Sequence, residues 1–107
     1  MIAWLLSFVA TCAVELAIVW WLGPPHRRRV PVAFVAQLGT HPIVWLAMAA
    51  LPGSQITRLA SVELWATLVE AAVYKRFLGM RGRDAFALSA LANAASLLAV
   101  ASAAFVV

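Results

Sequence analysis

Residues 2–29 read IAWLLSFVATCAVELAIVWWLGPPHRRR, an apolar run, a Gly-Pro-Pro break and three consecutive arginines. A helix over residues 2–22, at ~1.5 Å per residue, is long enough to cross the ~30 Å of hydrocarbon in a bilayer. A cleaved signal peptide has a basic leader and a shorter apolar core of ~7–15 residues. Here no Lys or Arg precedes the run, and Arg27, Arg28 and Arg29 follow it. The stretch is therefore expected to be a retained membrane anchor with its N-terminus on the non-cytoplasmic side.

Three further apolar runs follow at about 32–51, 59–78 and 85–107. They are set apart by Pro31, by Pro52-Gly53-Ser54, and by Gly79 with Gly82. Of the 107 residues, 65% are hydrophobic and 11% charged, against ~45–50% and ~25% in soluble domains. A chain this small buries too little of its surface to hide that much apolar area in water. Inside lipid only helices and closed barrels satisfy the backbone. Long Ala- and Leu-rich runs without strict alternation exclude a barrel. The expected fold is an all-α membrane protein: one domain over 1–107, a four-transmembrane-helix bundle with short connectors.

The net charge is +4, from eight Lys and Arg against four Asp and Glu. Nucleic-acid binding does not follow, because the basic residues sit in connectors and no polar domain remains to dock on phosphates. Arg27, Arg28, Arg29, Lys75, Arg76, Arg81 and Arg83 fall on one face, and only Arg58 falls on the other. By the positive-inside rule the rich face is cytoplasmic, and both termini are expected outside. The expected setting is a bacterial inner membrane. Trp4, Trp20, Trp21 and Phe77 are expected as interfacial anchors, with Trp45 and Trp65 packed between helices. Cys12 lies within the first run, cannot form an internal disulfide, and reads as a small apolar residue. On the fourth helix Ala92, Ala95, Ser96, Ala99 and Ala103 form a small-residue face suited to close packing, within the chain or against a second copy.

The acids behave differently from the bases. Glu15, Glu63 and Glu70 fall inside apolar runs, where a central charge costs about 2.5–3.5 kcal/mol on insertion scales. They must be neutral, paired, or turned to water or a partner. Helical spacing puts them on polar stripes, one per helix: Ser7, Thr11 and Glu15; Gln37, Thr40 and His41; Glu63, Thr67, Glu70 and Tyr74; Ser89, Asn93 and Ser96. A bundle can turn all four inward. Counted from the cytoplasmic ends at ~1.5 Å per residue, Gln37, Glu70, Glu15, Asn93 and His41 lie ~9–15 Å deep, and Glu63 ~20 Å. The expected site is a midplane cluster of Glu15, His41, Glu70, Asn93 and Gln37, with Glu63 leading outward. Pro42, directly after His41, frees a backbone carbonyl near Leu38.

The simplest role for such groups is interhelical hydrogen bonding, worth ~0.6 kcal/mol each on average. The first functional reading is proton or small-cation exchange, because a carboxyl group in low dielectric can gain and lose a proton during a cycle. Glu15, His41 and Glu70 are also a candidate divalent-metal set by residue type, although the spacing matches no metal motif. No cofactor is legible. The second reading is an accessory or assembly subunit that buries one stripe, foremost that of helix three, against a larger complex or another copy. The third is an intramembrane enzyme, for which no activated Ser or Cys arrangement is present.

Four helices in a chain of this length, with Glu15 two-thirds along the first, resemble the small multidrug resistance transporters; so, loosely, does the connector from Phe77-Leu78-Gly79 to Asp84. The resemblance implies that Glu15 exchanges protons for cationic substrates. The chain departs from that pattern in Glu63, in Glu70, in His41-Pro42, and in lacking glycine over 59–78 and after Gly82. Its strong charge bias also opposes the inverted pairing seen in some of those proteins.

Overall fold

The computed structural model describes residues 2–106. It contains four helices: α1 (Ile2–Leu22), α2 (Arg29–Ala50), α3 (Gln55–Leu78) and α4 (Gly82–Val106). Val107, the expected end of the fourth run, and the side chain of Ala103 lie outside what is described.

α2, α3 and α4 begin three or four residues before their apolar runs, because hydropathy alone does not set a helix end. Ser54 caps α3, its hydroxyl accepting from the Thr57 amide at 3.1 Å. Pro31 falls in the first turn of α2, where a missing N–H costs nothing. α2 then continues through Pro42. At the other ends, α3 stops at Gly79 in the left-handed region (φ 67°). α1 stops at Gly23, where a Cβ would stand 2.3 Å from the Val19 carbonyl oxygen. Arg58, the one cation at the neutral end, donates to the Met48 carbonyl at 3.1 Å. It thereby ties α3 to the last turn of α2, where a positive charge is favoured.

Each helix packs on its sequence neighbours, and α4 returns to α1, so the four form a closed ring in which, among the described residues, no backbones approach across either diagonal. Short connectors make neighbouring helices antiparallel. The long dimension is 37 Å, close to a ~40–45 Å bilayer with its headgroups.

The surface is inverted relative to a water-soluble protein. Glu15, Gln37, Thr40, His41, Thr67, Glu70, Ser89, Asn93 and Ser96 are all buried, while residues such as Ile56, Leu46 and Leu98 stand outward. That distribution suits a lipid solvent and not an aqueous one. α1 from Trp4 to Leu22, α2, and α4 from Gly82 to Val100 are long and apolar enough to cross a membrane. α3 is not among them, because Arg58, Glu63, Glu70, Lys75 and Arg76 dilute its apolar face. The chain is a membrane protein by these three helices.

Two of the tryptophans are less enclosed than expected. Trp45 and Trp65 keep 38% of their surface exposed and do not sit wholly between helices. Trp4 is half-buried and stacks on Phe8, one turn along, at 5.4 Å between ring centroids. The small face of α4 is used inside the chain: Ala92 and Ser96 are buried where α4 meets α1 and α3.

Candidate functional site

All four helices converge on Glu70. From α2, Gln37 donates its amide to Glu70 Oε1 at 2.7 Å. From α4, Asn93 donates to Glu70 Oε2 at 3.4 Å and more firmly to the Ser89 carbonyl at 2.9 Å. From α1, the Glu15 carboxyl lies beside the Glu70 carboxyl and the Gln37 amide, fully enclosed, and neither of its oxygens finds a donor. Ser89 fixes the backbone beneath, donating to the Thr67 carbonyl at 2.8 Å, and thereby locks α4 to α3. The polar stripes of the four helices do turn inward. The two carboxyls and two amides expected at one depth meet there.

The Tyr74 hydroxyl, one turn from Glu70 toward the basic end, is also buried without a partner. Sequence spacing put Tyr74 on the right stripe, but nothing in the spacing marked it as the next polar atom below the carboxyl pair. Beyond it the bundle is closed by Val19, Ala33, Ala71, Leu78, Ala85 and Leu88.

On the other side of Glu70 the bundle is open. A cavity of about 380 Å³ runs from the neutral ends of the helices, where Met48, Gln55 and Val100 line it, down to Gln37, Glu70 and Asn93. From Gln55 to Glu70 is about 22 Å along α3 at ~1.5 Å per residue. Glu63 lines the wall partway down. No Lys or Arg lines the cavity among the described residues. Glu15 does not line it either; it is fully buried beside Glu70 and Gln37, behind the lining residues.

His41 joins the cavity wall but not the carboxyl pair. Its ring packs against Phe8, Trp4 and Trp45, with centroids 5.2, 5.9 and 6.5 Å away, and its Nε2 has no partner. The metal set read from Glu15, His41 and Glu70 does not assemble: no three His, Cys, Asp or Glu side chains among the described residues come together as ligands. The aromatic residues of α1 hold the imidazole away. No sequence periodicity reports that, because it depends on how α1 meets α2.

Comparison with known proteins finds no matching family model, no matching curated protein and no matching solved structure. The likeness in layout to small multidrug resistance transporters therefore carries no family assignment.

Proposed function

We propose that this chain is a four-span protein of a bacterial inner membrane, with α3 as its fourth span, that exchanges a proton or small cation at the Glu70–Glu15 pair. The observation that carries the reading is the acidic cavity. It is open at one end, has no Lys or Arg among its described lining residues, and ends on a carboxyl held by two amides. A water-filled path of that sign favours cations and protons over anions. Glu63 is the first carboxyl an entering cation meets, Glu70 receives it, and Glu15 accepts a proton from Glu70 across a dry gap. Passage to the basic face requires the apolar closure around Leu78 and Leu88 to part, as alternating access demands.

Enclosure of the polar stripe of α3 by its own chain favours this reading over an accessory subunit, whose stripe would face outward. The test is ion flux in sealed vesicles carrying the purified full chain, read with an internal pH-sensitive dye under an imposed gradient. Glu70→Gln and Glu15→Gln are each expected to slow flux by about a hundredfold, the low end of what a positioned proton-transferring group contributes. Unchanged flux in Glu70→Gln, or no flux in the unaltered protein above that of empty vesicles, rules the reading out.

A further inference from the structure

A second concavity lies on the outside of the bundle, along the seam where α2 meets α3. It has a volume of about 450 Å³ and walls of Val35, Gly39, Ile43, Trp65 and Val69. Gly39 leaves the notch: a Cβ built there meets nothing within 4 Å. The groove runs from Arg28 to Ile43, about 22 Å along α2. That exceeds the ~15 Å depth of one leaflet, half the hydrocarbon thickness. Its basic end carries two guanidinium groups. Arg28 lines the mouth, and Arg76 sits 5.5 Å above the ring of Phe77, which lines it too.

An apolar slot of leaflet length with cations only at its headgroup end is complementary to one kind of molecule. We infer that the α2–α3 seam is a binding site for an anionic phospholipid, one acyl chain lying along Gly39 and the phosphate held by Arg28 and Arg76. Guanidinium groups suit the task because they bind phosphate oxygens through paired N–H donors. Trp65 forms the wall near the inner end of the tail, and Thr40 lines both this groove and the polar cavity. The bound chain thus lies one side chain from the cavity. The inference rests on α3 lying in the bilayer, as proposed above.

Trp65 provides the readout. The full chain is reconstituted in phosphatidylcholine vesicles containing either phosphatidylglycerol or phosphatidylcholine with brominated acyl chains. Quenching is resolved as the difference between the unaltered protein and Trp65→Phe. Trp21, exposed on α1 at the same basic end, reports bulk lipid through the matching Trp21→Phe difference. The expected result is that brominated phosphatidylglycerol quenches Trp65 at a mole fraction about 25-fold below that of brominated phosphatidylcholine, about fivefold for each arginine. Trp21 should show no comparable preference. Arg28→Ala with Arg76→Ala should remove the preference, and Gly39→Leu should remove quenching of Trp65 by both lipids while leaving helix content unchanged. Equal quenching of Trp65 by the two lipids, or the same preference at Trp21, overturns the lipid site and leaves the span intact. No quenching of Trp65 by either lipid in the unaltered protein places α3 outside the bilayer and overturns both readings.

Discussion

The bond from Gln37 to Glu70 joins two helices through a carboxyl that water barely reaches, with Glu70 1% exposed. Removing the donor leaves a buried acceptor without its best partner, which costs about 1–3 kcal/mol. Gln37→Leu is therefore expected to lower the unfolding free energy of the detergent-solubilised protein by that amount, and its midpoint accordingly. Replacing both partners, Gln37→Leu with Glu70→Met, removes the unsatisfied group along with the bond and should recover most of the loss. A midpoint unmoved by Gln37→Leu would mean that the two side chains do not meet. His41 behaves as a ring among rings, its Nε2 unpartnered and its neighbours Trp4, Phe8 and Trp45. His41→Phe should keep the unfolding free energy within about 1 kcal/mol, because the aromatic packing is retained and no hydrogen bond is lost. A larger loss would reveal a polar partner. Counting residues along each helix gave the depth of both Gln37 and His41. It gave no azimuth, so the separation of the imidazole from the carboxyls was not legible.

At the scale of the helices, existence and number were legible from the four apolar runs, and their ends were not. Hydropathy marks where lipid begins. α2, α3 and α4 begin in polar connectors, at Arg29, Gln55 and Gly82, because helical backbone extends past the apolar stretch, under a side-chain cap from Ser54 in the case of α3. α3 is the element the sequence read least well. Its apolar run reads as a span, but its acids and bases leave α3 less apolar than the other three helices, although Leu64 and Leu68 stand outward while Thr67 and Glu70 are buried. Its terminus can be tested alone. Gly79 holds φ at 67°, which a side chain disfavours by about 1–2 kcal/mol. With open space around it, no steric clash adds to that cost. Gly79→Ala should lower the unfolding midpoint by this backbone penalty. An unchanged midpoint would show that the connector relaxes to another conformation.

The molecule as a whole is an inverted bundle: apolar outside, polar within, open at the neutral end and sealed at the basic one. The pattern of stripes foretold the polar interior, since each helix carries its polar residues on one face. It could not foretell that Glu15 lies behind the floor while Glu70 forms it, because that distinction arises from how α1 seats against its neighbours, which residue spacing within one helix does not report. Nor did charge alone reveal that the basic end is plugged; Val19, Ala33, Ala85 and Leu88 look like any other apolar residues until they meet. One-sided access to the carboxyl pair is the claim on which the transport reading depends, and side-specific thiol labelling tests it most directly. In a Cys12→Ala background, single cysteines replace Met48 at the cavity mouth, Ser96 in its wall, and Leu88 in the closure. A small charged methanethiosulfonate reagent is applied to each face of sealed, oriented vesicles. Met48→Cys and Ser96→Cys are expected to react faster from the side of the neutral connector than from the basic side, and Leu88→Cys only slowly and only from the basic side, as the closure parts. Faster reaction of Ser96→Cys from the basic side than from the neutral one, or reaction of Leu88→Cys as fast as that of Met48→Cys, would contradict the account.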